Sequence, residues 1–421
     1  VETWEQAKKC AALWCANRER IDGILIVLPV FGPERAIADA IKLSELQVPI
    51  LVQAYPDGLD ALDLRRRGDA FCGKISVCNN LYQYGYPFTL TRDHTVLPTA
   101  AAFKAELAQF VATCRVVRGL KKARLGAIGA RPAIFNTVRF SEKLLQAAGI
   151  TVTTVDLSEM FGAAGKLADG DPSVQERVEA IRTYIPTDKP AGALGKMARL
   201  AIAIDDWVAE NELDAVGVQC WTSIQRYYGI NACVVMSMLS ERLIPAACEV
   251  DVTGVAAMYA LQLASGRSSA LVDWNNNYGA DPDKCILFHC GNWARSLVPG
   301  AKMSHGEILA TVLGEDNCCG TVSGRTQPGP MTYARITTDD RAGKIKGYVG
   351  EGRFTDDPLD TFGCRAVAEI PGLQELLRYI CKNGYEHHAA VNPSAVAGAL
   401  AEAWSTYLGW DVYVHGGHGQ D

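Results

Sequence analysis

Short apolar runs alternate with longer amphipathic stretches over the first two-thirds of the chain, and that rhythm predicts strands and helices in turn. Gly23–Pro29 reads as a strand, Glu34–Ser44 as a helix, Pro49–Gln53 as a second strand, and Thr99–Val117 as a long helix closing a first unit. A second unit starts on the strand Arg124–Ile128 and runs through a helix near Ser141–Ala148 to the strand Thr151–Val155. A helix over Gly195–Glu210, the strand Ala215–Gln219, a helix over Ala232–Glu241 and the short apolar run Ala246–Cys248 follow. This β-α-β order belongs to parallel sheets with helical crossovers.

After about residue 275 the texture changes. Met331–Thr337, Ile345–Phe354 and Cys364–Ile370 are β-rich with Gly- and Asp-containing connections, which predicts an antiparallel sheet or small barrel. A helix over Pro393–Tyr407, with Asn392 as its N-cap, closes the fold. The expected class is α/β: two Rossmann-like doubly wound domains, residues 1–118 and 119–272, then a β-rich, barrel-like domain over 273–421. The stretch Glu2–Asn17 is an amphipathic helix ahead of the first strand. Doubly wound domains usually open on a strand, so a further strand upstream of Val1 is expected.

Composition narrows the function classes. With 421 residues, 48% apolar and 21% charged, the chain suits a multidomain globular enzyme. The net charge of −6 comes with no basic block, which argues against nucleic-acid binding. No apolar run reaches the roughly 18 residues of a membrane span, so no membrane partner is expected. The 14 cysteines include no C-x-x-C pair and sit mostly in apolar runs, Cys72, Cys114, Cys233, Cys248 and Cys381 among them. Packed free thiols in a reducing, cytoplasmic setting are the expectation.

The sequence offers three candidate chemistries. The turn Gly126–Pro132 follows a strand but lacks the G-x-G-x-x-G order, and Pro132 removes a donor that a phosphate would need, so no nucleotide cofactor is expected. Cys220 beside Trp221 and Cys290 beside His289 lack the helix-start setting that activates a nucleophilic thiol. The third chemistry is a metal site. Glu249 and Asp273 each follow a short apolar run, at the carboxyl edge where open sheets bind ligands. The pair His387-His388 precedes the apolar segment Ala389–Val391, which predicts that at least one imidazole is buried and needs a partner. Two carboxylates and an imidazole suit a six-coordinate, borderline-hard cation such as Mn²⁺.

Several segments resemble the L-fucose isomerase family: K-M-A-R-L at 196–200, D-A-V-G-V-Q-C-W-T at 214–222 and A-C-E-V-D-V-T-G-V at 247–255. L-V-D-W-N at 271–275, F-H-C-G-N at 288–292 and G-P-M-T-Y-A-R-I at 329–336 continue it in the family's order. The related L-arabinose isomerases likewise end on a His-His pair whose second member is a ligand. The resemblance implies Glu249, Asp273 and His388 as metal ligands, with the two carboxylates also forming the acid/base pair. It places Gln219 and His289 near the sugar, and Trp221, Asn275 and Arg295 are added as candidate sugar contacts. It implies a homo-oligomer, hexamer or trimer, and Mn²⁺-dependent aldose–ketose isomerisation of an open-chain sugar through an enediol. Convergence of two of Arg131, Arg139, Arg226 and Arg295 would point to an anionic sugar such as sulfoquinovose. A lyase or decarboxylase on the same scaffold and a non-catalytic sugar-binding protein stand as alternatives.

Overall fold

The computed structural model describes residues 1–416, folded as two compact units. The first comprises Val1–Gly119 with Gly398–Gly409; the second comprises Leu120–Ala397 and the segment from Trp410.

In the first unit the strands β1 (Ile24–Leu28), β2 (Ile50–Ala54) and β3 (Thr89–Leu90) form a parallel sheet in the order β1-β2-β3. The central strand Ile-Leu-Val-Gln-Ala is buried along its whole length, as a parallel strand covered on both faces should be. The helix Trp4–Ala16 opens on a capping box between Thr3 and Gln6. The helix Ala397–Glu402 and its continuation Ala403–Tyr407 return late in the chain: the Tyr407 hydroxyl bonds both main-chain groups of Ile50, at 3.3 and 3.1 Å.

The second unit opens on a parallel sheet of β4 (Arg124–Ile128), β5 (Thr151–Val155), β6 (Ala215–Val218) and β7 (Ala246–Cys248), ordered β5-β4-β6-β7. Then come β8 (Ala270–Asn277), β9 (Lys284–His289), β10 (Lys302–His305), β11 (Cys319–Arg325), β12 (Gly329–Asp339), β13 (Lys344–Thr355), β14 (Cys364–Glu369), β15 (His388–Asn392) and β16 (Asp411–Val414). Their order is β10-β11-β14-β9-β8-β15-β12-β13-β16, and an extra pairing of β13 with β14 closes six strands into a ring. Every pairing round that ring is antiparallel. This is the barrel-like element the β-rich texture predicted. The helix Val252–Ser265 packs against both the parallel sheet and the ring and is apolar nearly all round, as such a sandwiched helix must be.

Two local expectations are corrected. Asn392 is not a helix cap: it ends β15, and its amide donates to Ser265 Oγ at 2.7 Å. The helix starts only at Ala397 because Thr332 on β12 holds the intervening turn, donating to Ser394 O at 2.9 Å and accepting from Val396 N at 3.0 Å. All 14 cysteines are free, but Cys72 and Cys381 lie on outward helix faces rather than in the core. No helix among the described residues is long and apolar enough to cross a membrane.

Candidate metal centre

Strand β7 ends at Cys248, and the next two residues, Glu249 and Val250, both take left-handed backbone (φ 64° and 56°). That conformation is costly for a β-branched residue such as Val250, so the fold must impose it. The double turn feeds straight into the helix Val252–Ser265, whose N-cap is Asp251. Gly217 on β6 leaves room for the turn, since a Cβ there would stand 3.1 Å from Val250 Cα. Glu249 is thereby held at the carboxyl edge of the parallel sheet, 4% exposed.

The ring supplies the other groups. Asp273 on β8 and His388 on β15 are direct cross-strand partners. His388 Nε2 stands 3.3 Å from Asp273 Oδ1 and 3.6 Å from Glu249 Oε2. His289, at the end of β9, brings a ring nitrogen within 4.8 Å of donor atoms of Glu249 and His388, and His387 does the same beside Asp273 and His388. The structure therefore gathers Glu249, Asp273, His289 and His388 at one point, with His387 at its half-exposed rim.

Behind His388 is a network that sequence reasoning missed. Asp251 Oδ2 accepts from His388 Nδ1 at 2.8 Å. The same carboxylate takes both arms of Arg335, at 2.6 and 3.0 Å, and the main-chain N–H of Gly254 at 2.8 Å. Arg335 Nε reaches Glu386 at 3.0 Å, and Thr337 donates to Glu386 at 2.5 Å. Asp251, Arg335 and His388 are fully buried. A carboxylate on the far nitrogen of a histidine fixes its ring and leaves Nε2 to face an ion. Asp251 lies two residues after Glu249 in a D-V-T-G helix start, and Glu386 directly precedes the His pair; both signals stood in the sequence.

Burial raises the Glu249 carboxyl to about 7, partly countered by the His388 charge. Burial works against a charged His388, yet the Asp251 hydrogen bond and the surrounding carboxylates outweigh it and push the imidazole up to about 10. Asp273 is held below the usual carboxylate range: burial opposes ionisation, and the neighbouring imidazoles overcome it. Asp251 is held far lower, because Arg335 and His388 outweigh its burial. Burial lowers His289 to about 4 and so keeps it neutral.

Glu249 Oε2, His388 Nε2 and His289 Nε2 are all buried without a hydrogen-bond partner. Orphaned polar atoms facing one another mark a place built for something else. Two carboxylate oxygens and an imidazole nitrogen fit a divalent, borderline-hard cation. Beside Glu249 lies a cavity of about 20 Å³ whose walls include Cys220, Cys233, Cys248 and Cys290. Cys290 is pushed well above the ordinary thiol range by burial, so this thiol is a poor nucleophile.

The remaining candidates are placed differently. Gln219 spends its amide on protein: Oε1 accepts from Ala130 N at 2.8 Å, while Nε2 donates to Ser223 Oγ at 3.2 Å and Trp221 O at 3.3 Å. Trp221 meets Phe135 edge-on at 5.4 Å, and Phe135 lies 6.4 Å from His387, so an aromatic strip leads to the rim. Asn275 is exposed on β8 and accepts from the Asn276 amide. The Arg295 guanidinium is committed to the main-chain oxygens of Thr183 and Tyr184. Arg131 and Arg139 likewise bond main-chain oxygens, of Pro132 and Asn136.

Two expected results follow from this geometry. A Cβ at Gly254 would stand 2.5 Å from Asp251 Oδ2 and 2.7 Å from Leu271 Cδ1. Ala is favoured over Gly inside a helix by about 1 kcal/mol, but here the clash displaces the carboxylate that orients His388. Gly254→Ala should lower the melting temperature and weaken Mn²⁺ binding about tenfold in calorimetric titration; equal affinity would separate Asp251 from the metal centre.

The second concerns pH. Metal-free protein carries a proton on His388 up to about pH 10 and on Glu249 up to about pH 7. A cation held by both side chains would displace both protons, so its affinity should rise about tenfold per pH unit above 7, and up to about a hundredfold per unit below it. Mn²⁺ titrations in buffers of different ionisation enthalpy check this, and a pH-independent affinity would overturn it.

The first 121 residues match the N-terminal domain of the fucose/sulfoquinovose isomerases, and residues 287–415 match the C-terminal domain of L-fucose isomerase. Among curated proteins, the chain is 26% identical over 235 residues to a sulfoquinovose isomerase of Priestia aryabhattai, covering 55% of this chain and 52% of that one. It is 27% identical over 202 residues to one of Alkalicoccus urumqiensis, covering 48% and 45%. A third, from Clostridium sp. (strain MSTE9), is 27% identical over 240 residues, covering 55% and 52%. The aligned part of the chain spans about half the length of each of these relatives. With both terminal domains matched in order, and the site's carboxylates and histidines gathered at one point, the chain belongs to the fucose/sulfoquinovose isomerase family.

Proposed function

We propose that this protein is a metal-dependent aldose–ketose isomerase acting on an open-chain monosaccharide, with the anionic sugar sulfoquinovose as the first candidate. The observation that carries this reading is the set of buried, partnerless atoms Glu249 Oε2, His388 Nε2 and His289 Nε2 beside the Asp273 carboxylate. The curated relatives named sulfoquinovose isomerase support the choice of sugar.

Glu249, Asp273 and His388 would hold the cation, with Mn²⁺ proposed. When bound, such an ion supplies Lewis acidity against the negative charge that develops on the sugar's O1 and O2. The chain's residues move the protons. Glu249 takes the proton from C2, leaving a planar cis-enediolate, and returns it to C1. A carboxyl near pH 7 is a suitable base for that transfer at neutral pH. Asp273, held ionised, carries the C2 hydroxyl proton to O1, and in the reverse direction each carboxylate returns its proton along the same path. The buried surroundings of Glu249 and His388 limit water, which keeps the abstracted proton on the carboxyl for return.

The test is metal-stripped protein reloaded with Mn²⁺ and incubated in D₂O with sulfoquinovose, L-fucose, D-arabinose, L-arabinose and D-glucose. Ketose formation with some solvent deuterium at the exchanged carbon is the expected result. No conversion of any sugar, in protein shown to bind the metal, would overturn the isomerase reading.

A further inference from the structure

Two buried histidines face the same point with their rings held in opposite senses. His388 Nδ1 is 2.8 Å from the Asp251 carboxylate, which can only accept, so Nδ1 carries a proton and Nε2 offers a lone pair once the site is neutral. His289 Nδ1 is 2.9 Å from the main-chain N–H of Cys290, which can only donate, so Nδ1 carries the lone pair. A neutral imidazole has one N–H, and in His289 it must sit on Nε2. That atom is buried on a residue 1% exposed and has no hydrogen-bond partner. The two rings lie 5.4 Å apart, centroid to centroid.

We propose that His289 is not a ligand of the cation but a fixed hydrogen-bond donor, aiming its Nε2–H at the substrate oxygen that becomes negative as the enediol forms. Ligation through Nε2 would require the proton to move to Nδ1, where it would point at the Cys290 N–H and leave that part-buried donor unpaired. Cys290, read above as a poor nucleophile, thus matters through its main chain. The donor needs no reorientation to meet its acceptor, because the end of β9 and the Cys290 N–H already fix the ring. The identity of the accepting oxygen rests on the isomerase reading; the choice between donor and ligand does not.

The deciding experiment compares His289→Gln, His289→Ala and His388→Ala, each checked for folding by thermal melting. Calorimetric titration of metal-stripped protein with Mn²⁺ should give Kd values for both His289 variants within about twofold of the wild type, and at least about tenfold weaker binding for His388→Ala. At saturating Mn²⁺, His289→Ala should lower kcat about 10²–10³-fold with little change in KM, because the bond strengthens in the transition state. His289→Gln, whose amide can still donate, should recover at least about tenfold of that loss. Loss of Mn²⁺ affinity in both His289 variants, comparable to that in His388→Ala, would make His289 a ligand and overturn the proposal. An unchanged kcat in His289→Ala would remove the donor role. If the wild-type protein converts no aldose, the isomerase reading fails, while the affinities still decide between donor and ligand.

Discussion

Glu249→Gln is expected to abolish turnover while making the metal-free protein more stable. The substitution keeps the side chain's volume and removes its charge and its basicity. Loss of a positioned general base costs about 10²–10⁴ in rate, and loss of an anionic ligand adds to that unless Mn²⁺ is saturating. Stability moves the other way. The folded-state carboxyl sits at about 7, above its ordinary 4.5, so the fold binds a proton more tightly there than the unfolded chain does. A group shifted in that direction favours the fold most below pH 4.5, and the contribution is lost as pH rises through 7. At pH 8 the ionised side chain thus opposes folding by up to about 3 kcal/mol, and the neutral amide relieves it. Thermal melts of stripped protein at pH 8, run beside deuterium exchange at saturating Mn²⁺, test both halves. A lower melting temperature together with full activity would mean that Glu249 is an ordinary structural carboxylate.

Glu249 stands out in the sequence through its place directly after an apolar run. A carboxylate directly after an apolar strand, in a chain whose β-α-β rhythm puts such strands in a parallel sheet, has few reasons to be there. The strand boundaries were readable for a similar reason: Arg124–Ile128 and Thr151–Val155 are bounded apolar or β-branched runs whose limits follow from local chemistry. What local chemistry cannot encode is which distant strand will pair. The ring closes only through β13 with β14, and Asp273 faces His388 across a 115-residue separation in sequence, so their meeting was legible from family resemblance alone. The return of 398–409 to the first unit was invisible for the same reason. Asp251 and Arg335 were overlooked differently. Each lies inside a motif of the resemblance, but neither would hold the metal directly: both act one bond further out.

Arg335 therefore offers the largest expected effect on stability. It is fully buried between Asp251 and Glu386, and Thr253 Oγ1 lies 2.9 Å from one of its nitrogens. Arg335→Met would preserve much of the volume but leave Glu386 buried without its cation and Asp251 with His388 alone. Breaking a buried pair from one side costs about 3–5 kcal/mol, because the partner's desolvation is no longer offset. For a unit of this size that is a fall in melting temperature of about 6–20 °C. Arg335→Lys should recover little, since one ammonium cannot span the fork that meets both Asp251 oxygens and Glu386. The triple change Arg335→Met, Asp251→Asn, Glu386→Gln separates the two roles of the network. Removing all three charges together should restore most of the stability, because neither carboxylate is left ionised and buried without the guanidinium. It should not restore Mn²⁺ affinity, because His388 then lacks the anionic partner that orients its ring and raises its basicity. Stability and affinity recovering together would show that the network only fills space; stability recovering alone would show that its charges serve the metal centre.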